Sequence, residues 1–239
     1  MHPSGQGAAH TTTTQVLADA PPNGSKGTHG AADANTAGKG VTAPPQGPPK
    51  SDSLKSEAHD KASAALGSRG KEVFEDPDTP VLGNPKGDVA LVEFFDYRCP
   101  YCKQVEPSLE ALLGEDRQLR LVLKEFPVLG PESVTAARAA LAARKQGKYD
   151  ALHRALMALK GQIDETTVLN SAAAVGLDVG QLKRDMAAPE IDAQLQKNSK
   201  LADALDIHGT PGFVVGDEIV PGAIGLNELK QLIEAARHK

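Results

Sequence analysis

Tryptophan is absent from this 239-residue chain, aromatic residues make up 3% of it, and only two residues are cysteine. Each shortage excludes something. With five Phe and three Tyr, the core has to be built mostly from Leu, Val, Ala and Ile. Two cysteines are too few for a disulfide framework or for a four-cysteine zinc site. A Cys-Cys-His-His site would need paired histidines, and His2, His10, His29, His59, His153, His208 and His238 are scattered. No metal and no cofactor is therefore expected. No run of about 18 apolar residues is present, so no membrane-spanning helix is expected. Basic residues are not in excess, at 26 Lys and Arg against 31 Asp and Glu. With no basic stripe or RNA-type aromatic motif, nucleic acid is not an expected partner. An apolar leader is also missing. Val16-Leu17-Ala18-Asp19-Ala20 ends in a small-x-small pattern, but nothing long and apolar precedes it and Pro21 follows it, so no intact signal peptide is visible: either the start is trimmed or misassigned, or the pattern is chance.

What is present falls into segments. Residues 1–50 are rich in Gly, Pro, Thr, Ala and Ser, cannot bury enough surface to offset chain entropy, and read as disordered. Residues 51–75 read as an amino-terminal helix and linker. The helix occupies 52–67 on a thin stripe of Leu54, Ala58, Ala62, Ala65 and Leu66, weakened at Gly67 and Gly70. Breaker clusters at 76–80 and 83–88 lead into Val89–Tyr97, a short apolar run that fits a strand buried on both faces. A helix over Tyr101–Leu113 and a strand over Leu119–Phe126 complete a βαβ unit, so the two strands should be parallel. Residues 132–206 switch to helical period, including Tyr149–Leu159 with Leu152, Ala155, Leu156 and Leu159 in register. A hairpin, Phe213–Val215 and Glu218–Val220 about Gly216-Asp217, and an amphipathic helix over Leu226–Arg237 close the chain.

The two cysteines lie three apart, Cys99-Pro100-Tyr101-Cys102, where strand gives way to helix. A thiolate is the attacking form of cysteine. The unpaired N–H groups and partial positive charge of a helix start favour an anion at Cys99, which makes it both nucleophile and leaving group. Cys102, one turn on, is the more buried, and closes on Cys99 or releases a trapped mixed disulfide. A zinc half-site or two inert core thiols are the other readings. Glu93 is an acid inside an apolar strand. Either burial raises its ionisation and it passes protons to and from Cys102, or it is an edge residue with its head in water. Glu106 and Lys124 are candidate companions, Lys124 compensating Glu93 from the neighbouring strand; a solvated surface charge is the alternative for each. Thr210-Pro211 stands between helical block and hairpin. A cis bond there would turn the backbone toward the thiols and leave the Thr210 N–H and C=O to pair with an extended substrate. Pro100, Tyr101 and Thr210 are candidate substrate contacts. Tyr97 and Phe126 are too, with core packing as the alternative for both. His208 is either a tuning group or a solvated loop residue.

These residues carry a resemblance. Gly83-Asn84-Pro85-Lys86-Gly87-Asp88, Phe94-Phe95-Asp96-Tyr97-Arg98-Cys99-Pro100-Tyr101-Cys102, Lys124-Glu125-Phe126-Pro127 and Gly209-Thr210-Pro211-Gly212-Phe213 together resemble the DsbA-like thiol:disulfide interchange family of the thioredoxin superfamily, over about residues 80–238. The resemblance implies an α/β thioredoxin-like fold with an inserted helical subdomain at about 132–206. It implies that Cys99 is the attacking, solvent-exposed cysteine and Cys102 its buried partner. Glu93 matches the buried acid, Glu106 and Lys124 its charged companions, and Pro211 the cis-proline facing the disulfide. Members usually work in the periplasm or another extracytoplasmic space.

The best-known oxidases of the family carry His at the third motif position and Val before the cis-proline, where this chain has Tyr101 and Thr210. That pattern is more similar to the copper-sensitivity suppressor (ScsC) type and the isomerases, which oligomerise through an amino-terminal helix such as 52–67. The expected function is a protein disulfide oxidoreductase, oxidase or isomerase, acting on unfolded or reduced proteins and recycled by a membrane redox partner. The alternative is a copper(I)-binding or peptide-binding module using the same thiols.

Overall fold

The computed structural model describes residues 51–239, and the low-complexity stretch 1–50 lies outside the described residues. The chain runs α1 (Ser51–Phe74), β1 (Val81–Gly83), β2 (Val89–Phe95), α2 (Pro100–Glu115), β3 (Leu119–Glu125), α3 (Pro131–Ala143), a short 3₁₀ turn, α4 (Tyr149–Ala158), α5 (Glu165–Ala174), α6 (Val179–Met186), α7 (Pro189–Ala204), β4 (Gly212–Val215), β5 (Glu218–Pro221) and α8 (Leu226–Arg237). Five strands form one sheet in the order β1-β3-β2-β4-β5. The apolar run of β2 lies at its centre, as a strand covered on both faces must. It pairs parallel with β3, Val89 opposite Leu119 through Phe95 opposite Glu125, and antiparallel with β4.

Side chains alternate across a sheet, and that sorts the core. Leu91, Phe95, Leu121, Leu123, Phe213 and Val215 face a large cluster shared with α2, α8 and the helices of the insertion. Val92, Phe94, Val122 and Val214 face the other way, onto Leu66 and Val73 of α1 and Leu201, Ala202 and Leu205 of α7. The insertion is therefore not an appendage: its α4 joins the cluster on the α2 face of the sheet, and its α7 packs on the other face. This is the thioredoxin-like α/β fold with a helical subdomain.

Three local readings are corrected. Helix α1 does not stop at 67 but runs on to Phe74. Gly67 and Gly70 look onto open space and cost about 1 kcal/mol each, while burying Leu66 and Val73 against the sheet contributes about 1.5–3 kcal/mol apiece. Ala62 and Leu66 are buried within this chain, so that part of the stripe is not open to a second copy; the Leu54 and Ala58 side chains lie outside the described residues. Strand β1, hidden between two breaker clusters, is an edge strand of three residues antiparallel to β3. In α4 the buried positions are Tyr149, Leu152, His153, Leu156 and Met157, a stripe rotated so that a histidine falls inside it.

Candidate active site

Strand β2 delivers the chain to Asp96, whose backbone carbonyl accepts from the Cys99 N–H at 3.0 Å. Cys99 then caps α2. Its backbone is extended, its Sγ accepts from the Cys102 N–H at 3.4 Å, and Pro100 fills the first helical position, where a missing N–H does no harm. The peptide Thr210–Pro211 is cis, and the Thr210 carbonyl accepts from the Cys99 thiol at 3.2 Å. The two contacts oppose each other. The helix start favours a thiolate, whereas the carbonyl contact exists only for the thiol. The cysteines are not bonded to one another.

Cys99 is not the exposed residue that the resemblance implied. It is 3% accessible against 0% for Cys102, because the loop ending in Thr210 lies over its sulfur. Around this slit Tyr101 is 60% exposed and Pro100 is exposed, Thr210 is half-buried and Pro211 buried. Among the described residues Val128 and Leu129 are the other exposed large apolar side chains, on a loop that Arg98 ties to the site through the Leu129 carbonyl at 2.6 Å. Tyr97 and Phe126 are core residues: Phe126 packs edge-on against Phe94 at 6.2 Å, and Tyr97 is fully buried. His208 lies exposed beside Asp206.

Glu93 is fully buried, and neither carboxyl oxygen has a hydrogen-bond partner in the protein. Burial, then the charges of Glu106, Cys99 and Glu125, push its ionisation well above the ordinary glutamate range. The Cys102 thiol is pushed up as well, first by burial and then by Glu93, against a hydrogen bond from the Asp96 backbone. Glu93, Glu106, Cys99 and Cys102 thus share one electrostatic neighbourhood.

Lys124 does not belong to it. Glu93 stands opposite Leu123, and Lys124 opposite Phe94, so Lys124 points to the other face of the sheet. There its Nζ donates to the Glu72 carbonyl and to Thr79 Oγ1, both at 2.8 Å, and lies 3.6 Å from Asp76. Burial pulls its ionisation down to about 8, against the attraction of Asp76.

On the Glu93 face of the sheet β3 contributes Glu125, opposite Phe95 and two residues beyond the partner of Glu93, which sequence reasoning missed. Its Oε1 accepts from Tyr97 and Tyr149, both at 2.9 Å. Burial nevertheless raises its ionisation, and Asp96 adds to the rise. Tyr97 Oη lies 3.0 Å from His153 Nδ1, and His153 Nε2 lies 3.6 Å from Glu106 Oε1. Asp96 was missed too. Its carboxylate accepts from the Arg98, Val128 and Leu129 N–H groups and from Ser133 Oγ, at 2.7–2.9 Å, and so ties together the turn before Cys99, the loop after β3 and the start of α3. The available signals were an Asp two residues before a turn donor and a His on an apolar helical stripe. Among the described residues no cluster of three or more metal-ligating side chains occurs, and no helix is long and apolar enough to cross a membrane.

Comparison with known proteins places this geometry. The DSBA-like thioredoxin domain family matches residues 90–234. The thioredoxin-like oxidoreductase from Silicibacter pomeroyi DSS-3 is 50% identical, covering 71% of this chain and 98% of that one, with a TM-score of 0.70. The catalytic domain of Proteus mirabilis ScsC is 30% identical, covering 74% of this chain and 99% of that one, with a TM-score of 0.68. Among curated sequences, the Na(+)/H(+) antiporter NhaA 1 of Salinispora arenicola is 29% identical over 164 residues, 67% of this chain. The match spans 25% of that antiporter's length.

Proposed function

The chain belongs to the DsbA-like thioredoxin-domain family, and from that premise we propose that it exchanges disulfide bonds with other proteins through Cys99 and Cys102. The observation that carries this reading is the placement of Cys99 Sγ on the first turn of α2, 3.4 Å from the Cys102 N–H and 3.2 Å from the carbonyl before a cis-proline. A substrate thiolate attacks Cys99 of the disulfide, and Cys102 leaves; a second substrate thiol then displaces Cys99. In the opposite sense, Cys99 attacks a wrong disulfide, and Cys102 releases it. Glu93 serves as proton carrier to Cys102, Thr210 pairs with the extended substrate, and Pro100 and Tyr101 form the contact surface. The substrates are unfolded or reduced proteins in an extracytoplasmic space, and a membrane partner restores the redox state.

Tyr101 in place of His puts no positive charge beside Cys99, which supports isomerisation over strong oxidation. Refolding of scrambled and of reduced ribonuclease, with the reduction potential measured alongside, tests the proposal. Faster recovery from the scrambled form is the expected result. No acceleration of either, with stoichiometric copper(I) held by the reduced protein, would overturn it.

A further inference from the structure

Exchange at Cys99 moves a proton beneath it. When a substrate thiolate bonds to Cys99, the Cys99–Cys102 bond breaks and Cys102 leaves with the electron pair into a fully buried site. A thiolate there is costly, so it takes the proton of Glu93. In the resolving direction Cys102 attacks Cys99, its proton goes to Glu93, and the substrate sulfur departs as thiolate. Glu93 must exchange that proton with water each cycle, yet it has no exposed surface and no protein hydrogen bond.

The surroundings are acidic. Glu93 on β2, Glu125 on β3 and Glu106 on α2 gather on one side of the sheet, and Asp150 lies on α4 near His153. The lysines point elsewhere. Lys124 is on the far face, and Lys103 of α2 donates to the Leu156, Met157 and Leu159 carbonyls at 2.6–3.3 Å. His153 meets Glu106 directly and reaches Glu125 through Tyr97. Its Nε2 faces Glu106, whose side chain is 14% exposed, at 3.6 Å. Its Nδ1 meets Tyr97 Oη at 3.0 Å, and Tyr97 donates onward to Glu125 at 2.9 Å. Because Tyr97 gives its one proton to Glu125, it accepts from the Nδ1–H of His153, which leaves Nε2 as the acceptor facing Glu106. Phe95 holds the ring edge-on at 5.1 Å, and Tyr149 stacks on it at 5.7 Å.

We propose that His153, contributed by the helical insertion, is a positioning residue of thiol–disulfide exchange: it links the partly open Glu106 to the buried Tyr97–Glu125 pair and so returns protons to the carboxyls below Cys102. This rests on the exchange reading above. The test compares native protein with His153→Asn, His153→Phe and Tyr97→Phe, following reduction and reoxidation with glutathione from pH 5.5 to 9. In both His153 variants the Cys102 step should slow about tenfold at neutral pH, less than the loss of a direct proton donor, and its pH profile should shift. Alkylation of Cys99 in a Cys102→Ser background should stay within about twofold, since the histidine does not touch that sulfur. A purely structural histidine would move melting temperature and leave the pH profile alone. Should the His153 variants misfold, Tyr97→Phe keeps the ring and removes only the hydroxyl that joins His153 to Glu125, and its pH profile should shift in the same sense. Variants with native rates and profile overturn the proposal. A native protein that exchanges nothing removes the exchange reading itself.

Discussion

Cys99 and Cys102 differ less in exposure than in what surrounds their sulfurs. Cys99 has a helix start and a carbonyl, and Cys102 has burial and an acid. Cys99→Ser should abolish exchange, while Cys102→Ser should leave mixed disulfides trapped on Cys99, visible by non-reducing electrophoresis. Glu93 is raised above its unfolded range, so the native state binds its proton more tightly, and stability is lost as pH rises from about 4.5 through the native value. Glu93→Gln removes that loss. It should gain on native protein by up to about 1.4 kcal/mol per pH unit in that window, read by urea denaturation, while slowing exchange. Asp96 has a purely organising part: four donors on one buried carboxylate. Asp96→Ala leaves three backbone N–H groups and a serine hydroxyl unpaired and should cost about 3 kcal/mol, with Asp96→Asn intermediate. At this scale the sequence was most legible where chemistry and motif coincide. Cys99, Cys102, Glu93 and Pro211 were readable because a thiol pair, a misplaced acid and a breaker each stand out from their neighbours. Asp96, Glu125 and His153 were not, because each looks ordinary until a partner 24–56 residues away closes on it.

Elements show where pattern reading misleads. The strand over Val89–Phe95 and its parallel partner were legible from apolar runs, but the register was not. A shift of one residue moves every side chain to the opposite face, and that is the whole difference between Lys124 beside Glu93 and Lys124 beside Asp76. The same blindness applies to α1, whose length follows from the surface it packs on and not from its glycines. What Lys124 does instead is anchor the segment between α1 and β1. Asp76 also takes hydrogen bonds from Gln194 at 2.9 Å and Lys197 at 2.8 Å. Burial opposes its ionisation, but these bonds and the Lys124 charge outweigh it and hold the carboxyl well below the usual range. Lys124→Met strips a buried carboxylate of one counter-charge and should destabilise the fold by about 3 kcal/mol. Exchange rates should be unaltered, because the ammonium lies across the sheet from Glu93. A double-mutant cycle with Asp76→Asn measures the coupling; slowed exchange in Lys124→Met would mean that the face assignment is wrong.

At the level of the whole molecule, the two faces of the sheet respond oppositely to acid. On the α1 and α7 face, Asp76 is lowered, so its contribution is present above about pH 4 and is lost as pH falls toward the native value. On the α2 face, Glu93 and Glu125 are raised, so each favours the folded state most when protonated and costs stability as pH climbs. Between mildly acid and neutral pH the Asp76 contribution is constant while those of Glu93 and Glu125 are lost, so stability should fall across that range. The insertion is what makes this face so enclosed: it supplies Tyr149 and His153 and shuts water from the acids that a bare sheet would leave wet. A helical block was evident from the sequence, but its role as the lid of an acidic chamber was not, since period reading tells which face of a helix is apolar and not what it covers. The reduced protein should therefore melt at a higher temperature at pH 5 than at pH 7.5. Glu93→Gln should reduce that difference by about half if the two acids titrate independently, and Glu93→Gln with Glu125→Gln should remove most of it. A melting temperature that rises from pH 5 to 7.5 would show that the acids beneath Cys102 are ionised and hydrated in the native state, and with it the chamber would lose its charge-excluding character.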